Sequence, residues 1–535
     1  MAADRRDQFS LFAEEFLRTH DRVRRERIRR KSPRATAPRR TGRNHDHVSR
    51  PAPRRGRLTD RAAMQPNWIV LSLTLAYMAA MGVISLVARR HARSAGSFTS
   101  GGARYPAVLI GFLLMSEFIG TAASVGTTQT AVKVGLSAAW NIAALGIGFM
   151  LYAFFLADRF KTLGENTISG ALARAYGRPT KLATSVIMIF ALQIVAISTY
   201  AGGGTVLSGL LRVDRSTAIV LTGVVATLYV GVGGMHSVIY TNVLHALVKY
   251  IGILVAAVFA LSQVGGLGTL QAQVPARMFA ADTVGWAQIF AWLVAGIGAV
   301  FSTQYVIQAI NTVEDGRTAR AASFWCAVLL VPFGLLAALV GVCGGVLMPA
   351  LPPIQVLPAL IGRMDDLLAA IVVAGLAGSL FGTISALSIG AATLLYKDFY
   401  LPLRGEEGRG ALAFVRVATV VVGLVPIPLA IYAPDILKVT FLAKSLRTTL
   451  AVLVLFAFYA PQFARPRAAV VSILSSLVLT IGWFLAGDPF GIDNAYVALV
   501  IPLVVMGADR LLARPSPGAP APLPVSGPAA TLPRK

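Results

Sequence analysis

Apolar runs long enough to cross a hydrocarbon core recur from Trp68 to Ala513, with only short polar gaps between them. Thirteen can be drawn: 68–88, 106–132, 137–157, 182–211, 216–234, 237–262, 285–312, 322–348, 367–396, 411–432, 436–460, 468–487 and 494–513. The pattern predicts an all-α polytopic membrane protein with about 13 transmembrane helices in one bundle, because lipid offers backbone groups no partners outside the helix itself. Two runs are interrupted. Within the second, Met115-Ser116-Glu117-Phe118-Ile119-Gly120-Thr121 leads into a stretch of small and hydroxyl residues, and the helix is expected to break there. Carbonyls freed at such a break must be buried in protein or line a cavity, where they can act as oxygen ligands for a cation.

Five runs later, Ala295 to Gln304 repeats the glycine-then-hydroxyl interruption, which suggests a 5+5 inverted-repeat core of spans two to six and seven to eleven. One helix would precede the core and two would follow it. In the ninth span Gly375, Ser379, Gly382 and Ser385 fall near one face, where small residues admit a neighbouring helix and hydroxyls can hydrogen-bond or ligate an ion. Oxygen ligands of this kind suit a hard cation such as sodium. Glu117 at that depth costs on the order of 3 kcal/mol unless paired, so it reads either as half of an internal ion pair or as a solute-facing group.

Composition agrees: 56% of residues are hydrophobic, 14% are charged, and mean hydropathy is +0.67. Cys326 and Cys343 lie inside one apolar run, which leaves neither a disulfide framework nor a zinc site. No GxxxxGK[ST], HExxH or GxSxG sequence occurs, and no cluster of acids, histidines or cysteines falls at membrane depth, so an enzyme is not expected. No cofactor is expected beyond a coupling ion.

The net charge of +25 raises the question of nucleic acid until it is divided. Residues 1–63 hold 19 Lys+Arg against 8 Asp+Glu and too few apolar residues to fold, so they read as a disordered basic tail rather than an RNA- or lipid-binding module. In alternate connections between the spans one side carries 21 basic residues and the other 6, which places the N-terminus outside and the C-terminus in the cytoplasm of a plasma (inner) membrane. That orientation would carry the tail across the bilayer, so the expected start is Met64. The expected organisation is a tail over 1–63, a transmembrane transporter domain over 64–514 and a Pro/Ala-rich cytoplasmic tail over 515–535.

Four passages resemble the sodium/solute symporter family, across roughly residues 64 to 515: Ser97 to Pro106; Gly233-Gly234-Met235-His236-Ser237-Val238 through Thr241-Asn242; Gln304 and Gln308 with Asp315, Ala319 and Arg320; and Gly382-Thr383-Ile384-Ser385 through Thr393 to Asp398-Phe399-Tyr400. The resemblance implies uptake of a small organic solute by alternating access, coupled to a sodium gradient. The ion would be held by carbonyls of Ser116, Ile119 and Ser379 and by the Thr383 hydroxyl. Three departures stand out: Gly382 lacks the first of the family's two hydroxyls, Asn242 replaces an acidic residue, and Ala309 replaces an arginine.

Glu117, Gly120, Thr121 and Gln304 are the candidate solute-binding residues, and Asn242, Lys249 and Ser385 the candidate coupling residues. Lys249 lies two turns beyond Asn242 on the same face. Its ammonium could replace the ion, making transport proton-coupled or sodium-independent, or it could simply neutralise Glu117. Within the spans Lys249, Lys444 and Arg447 outnumber Glu117, which tilts the solute toward a carboxylate, although at least one of Lys444 and Arg447 is expected to snorkel or meet a helix end. His236 and His245 read as structural. A transporter-like sensor is the remaining alternative, against which stands the short tail after Ala513. The expected partners are a small-molecule solute and membrane lipid, with neither nucleic acid nor an oligomer required.

Overall fold

The computed structural model describes residues 68–88, 94–100, 105–211, 213–404, 410–433 and 436–512. The basic tail of 1–63, the Met64 start and the tail of 515–535 lie outside the described residues. The long helices run in the order α1 (Trp68–Ala88), α2 (Ala107–Phe118), α3 (Thr121–Val134), α4 (Trp140–Phe155), α5 (Arg178–Leu211), α6 (Arg215–Val264), α7 (Trp286–Ser302), α8 (Gln304–Asn311), α9 (Gly316–Leu347), α10 (Asp366–Leu394), α11 (Ala411–Leu424), α12 (Ile436–Tyr459), α13 (Pro466–Leu485) and α14 (Asn494–Leu512). The protein is an all-α polytopic membrane protein, with no strand among the described residues.

By length and apolar character, ten helices among the described residues can cross a membrane, or eleven if α7 and α8 count as one bent span. The count of thirteen is not reached because α2 and the first part of α6, Arg215–Leu228, are short, and because Thr121–Phe155 runs through as one unit. The turn expected between the fifth and sixth runs is a kink instead. Gly234 takes φ 67°, ψ −172° inside α6, a conformation that glycine adopts without the Cβ penalty.

Both interruptions fall inside the expected stretches. α2 stops at Phe118 because Ile119 (φ −93°, ψ 77°) and Gly120 (φ −80°, ψ 176°) leave the helical region. Gly120 is needed for contact: a Cβ there would lie 3.0 Å from Thr383 Oγ1 and 3.3 Å from Thr199 Oγ1. The second break is at Thr303, extended at φ −69°, ψ 133°, with a bend of 46° between α7 and α8. α12 and α10 are the most enclosed spans, while α1 and α14 turn residues such as Trp68, Leu86, Val500 and Val504 outward, as lipid-facing helices do.

Asp315 caps α9 by accepting from the Thr318 amide (2.8 Å) and hydroxyl (2.7 Å), and these bonds hold its carboxyl below the usual carboxylate range. A depressed folded value means the stabilisation is present above the unfolded value and lost as pH falls through the folded one. Asp315→Ala is therefore expected to lower the melting temperature at neutral pH, with the gap from wild type closing in acid. Melts across pH in detergent check this, and a gap that persists below the carboxylate range would contradict it.

Candidate functional site

Ending α2 at Phe118 leaves carbonyls without helical partners, and side chains from α6 and α10 take two of them. The Lys249 ammonium donates to the Ser116 carbonyl at 2.5 Å and to Ser116 Oγ at 2.9 Å. Thr383 Oγ1 donates to the Glu117 carbonyl at 3.1 Å. Ser116 Oγ in turn donates to Asn242 Oδ1 at 2.7 Å, and Asn242 Nδ2 donates to Ser385 Oγ at 3.3 Å. Ser116, Thr383, Asn242, Lys249 and Ser385 are thus brought together in one buried cluster. The Ser379 hydroxyl is spent on the Gly375 carbonyl of its own helix.

The fully buried Glu117 carboxyl finds no hydrogen-bond donor among the described residues, and the Lys249 ammonium turns to Ser116 rather than to it. Two candidate solute residues point elsewhere. Thr121 Oγ1 donates to the Thr199 carbonyl at 2.5 Å, and Gln304 is engaged on both sides, accepting from the Ile168 amide and donating to the Asn166 carbonyl, each at 3.0 Å. Gln304 therefore ties the second break to the linker ahead of Ile168–Tyr176.

A second polar centre lies at the second break. Lys444 and Arg447, one turn apart on α12, are buried at 5% and 2% exposure and do not snorkel. Lys444 Nζ donates to Asn141 Oδ1 at 3.0 Å and sits 4.3 Å from the centre of the Phe441 ring. Arg447 Nη1 donates to Thr303 Oγ1 at 2.8 Å, and its Nε donates to the Ala443 carbonyl at 3.0 Å. Neither cation is in an ion pair among the described residues. Phe441 stacks on Trp292 at 5.3 Å, and both rings line a cavity of about 450 Å³ whose wall also carries Gln129, Lys133, Gln288, Asp488 and Asp493. Asn141 was not singled out in the sequence, although it is a lone amide at the head of an apolar run.

The remaining motif residues have structural work. Gln308 Nε2 donates to the Thr99 carbonyl (3.0 Å) and to Thr393 Oγ1 (2.9 Å). Asp398 pairs with Lys181 at 3.1 Å and accepts from Ser169 and Ser185, and Arg320 pairs with Asp158 at 3.0 Å. His236 and His245 are held by Tyr105 and Tyr77 through Nδ1, at 2.7 and 2.5 Å.

Two helical breaks inside the bundle, at Ile119–Gly120 and at Thr303, each beside a buried polar centre, are features of a transporter-type fold. Residues 98–474 match the sodium:solute symporter family, and the chain belongs to that family. Its relatives are transporters, not enzymes. The high affinity choline transporter 1 of Homo sapiens is 23% identical over 43% of this chain and 41% of its own length. The sodium/iodide cotransporter of Homo sapiens is 26% identical over 37% and 31%, so the chain spans less than half of either human relative. The uncharacterized symporter YwcA of Bacillus subtilis (strain 168) is 24% identical over 70% of this chain and 77% of its own. Among solved structures, a Na+-coupled sialic acid symporter in a substrate-bound outward-open state superposes with TM-score 0.71 at 16% identity, covering 84% of this chain and 98% of that one. The nucleobase-cation-symport-1 family transporter Mhp1 in a closed conformation gives 0.54 at 15% identity, covering 77% and 94%.

Proposed function

We propose that the protein is a secondary active transporter that imports a small carboxylate-bearing organic solute by alternating access between its two broken helices. The observation that carries the solute class is the pair Lys444 and Arg447, two buried cations on one turn of α12 with no ion-pair partner among the described residues. Buried charge without a counter-charge is costly, and a bound carboxylate repays that cost in the position where Arg447 can offer a planar fork and Lys444 a point charge. The cavity lined by Trp292 and Phe441 adjoins this centre through Phe441, whose ring centre lies 4.3 Å from Lys444 Nζ. Glu117 and Gly120 at the first break remain candidate solute contacts, whereas Thr121 and Gln304 contribute through the backbone and linker contacts that shape the breaks.

Family membership supports coupling to a sodium gradient. The bonds made by Lys249 favour a second reading, in which the position between Ser116 and Thr383 does not take a free ion. The unequal basic charge of the connections supports a plasma-membrane orientation with the N-terminus outside and the C-terminus in the cytoplasm. A thermal-shift screen of the purified protein against small acids, amino acids and sugars tests the solute class. A carboxylate that raises the melting point while its carboxamide does not is the expected result. A shift produced only by neutral sugars would contradict it.

A further inference from the structure

The Ser116 carbonyl and hydroxyl, the Asn242 Oδ1 and the Thr383 hydroxyl gather oxygens around the first break, which is the chemistry a small hard cation seeks. A side-chain nitrogen already stands there. Lys249 Nζ lies 2.5 Å from the Ser116 carbonyl and 2.9 Å from its hydroxyl, wholly buried, on a side chain that reaches across from α6. An ammonium at hydrogen-bond distance from that carbonyl uses one of its two lone pairs and repels any ion approaching the other.

The facing residue on α10 completes the picture. A Cβ on Gly382 would lie 2.3 Å from Asn242 Oδ1, 3.0 Å from Ser116 Oγ and 3.3 Å from Lys249 Nζ. Any larger residue at 382, including one bearing a hydroxyl ligand, would collide with the asparagine that orients Ser116 and crowd the ammonium. The absence of a side chain at 382 and the presence of the lysine at 249 are thus two halves of one arrangement. Of the hydroxyls on α10, Ser379 Oγ donates to the Gly375 carbonyl and Thr383 Oγ1 to the Glu117 carbonyl.

We infer that the Lys249 ammonium is a tethered cation that joins the broken helix α2/α3 to α6 in place of a bound sodium ion, with Gly382 making the room for it, so that solute binding and transport do not require sodium. This rests on the transporter reading above, but its test does not need the solute. The full-length protein, purified in detergent, is melted in NaCl exchanged for choline chloride at constant ionic strength, and equilibrium binding of radioactive sodium is measured in parallel. The wild type is expected to show neither a sodium-specific rise in melting temperature nor saturable sodium binding. The double variant Lys249→Ala/Asn242→Asp, which removes the tether and places a carboxylate beside the freed Ser116 oxygens without crowding Gly382, is expected to gain both.

Saturable sodium binding by the wild type would overturn the inference, whatever the double variant does. Should the double variant fail to fold, the wild-type sodium measurement still decides. Uptake of labelled carboxylates into proteoliposomes separates the two levels of the argument. Equal uptake in sodium and choline supports the tethered cation, and strictly sodium-dependent uptake opposes it. Absence of any uptake alongside absence of sodium binding would remove the transporter reading and leave the tether standing.

Discussion

Arg447→Ala is expected to weaken carboxylate binding at least about 30-fold, equivalent to about 2 kcal/mol, the lower end for truncating one side of a buried hydrogen-bonded charge pair. Two losses add in the same direction. The solute loses a charged fork, and the Thr303 hydroxyl at the second break loses the Nη1 donor that now stands 2.8 Å from it. Arg447→Lys keeps the charge without the fork and should retain part of the affinity. The measurement is a binding isotherm for whichever labelled carboxylate the thermal screen selects, with wild type, Arg447→Ala and Arg447→Lys compared at matched melting temperature. Equal affinity in all three would show that α12 does not carry the solute.

Gly298→Val is the second large effect, expected first on folding. α7 and α12 approach so closely here that a Cβ on Gly298 would lie 2.6 Å from the Thr448 Cα and 2.3 Å from its Oγ1. Forcing carbon into that contact costs about 1–3 kcal/mol or more, because a backbone atom cannot swing aside as a side chain can. The displacement falls on the residue next to Arg447, so any protein that does fold should also bind carboxylate poorly. Adding Thr448→Ala removes the hydroxyl but not the Cα, and only partial recovery of melting temperature is expected. Full recovery, or no loss in the single variant, would mean that α7 and α12 are not held at this distance.

Much of this fold was legible along the chain because lipid imposes a one-dimensional signal: the runs, the two interruptions and the crowded small residues of α10 all announced themselves in composition. The face of α6 that carries Asn242 and Lys249 and the face of α10 that carries Gly382 and Ser385 were each readable from helical spacing, but not that the two meet. What spacing could not supply was the partner of each group. Gln304 was a fair candidate for solute contact, yet its amide is taken by backbone at Asn166 and Ile168, more than a hundred positions away. Thr121 is similarly spent on Thr199. At least one of Lys444 and Arg447 was expected to snorkel or meet a helix end, and what holds both inside, Asn141 and Thr303, comes from other spans. The kink at Gly234 hid because a glycine between two apolar runs reads as a connection as readily as a bend.

The most direct test of the central claim, that buried cations on α12 beside the second break hold the carboxylate of a transported solute, is uptake into proteoliposomes of labelled small carboxylates and their matched carboxamides. Concentrative uptake of a carboxylate, absent for its amide and lost in Arg447→Ala, is the predicted result. Uptake of the neutral amide at the same rate, unchanged in Arg447→Ala and Lys444→Ala, would contradict it.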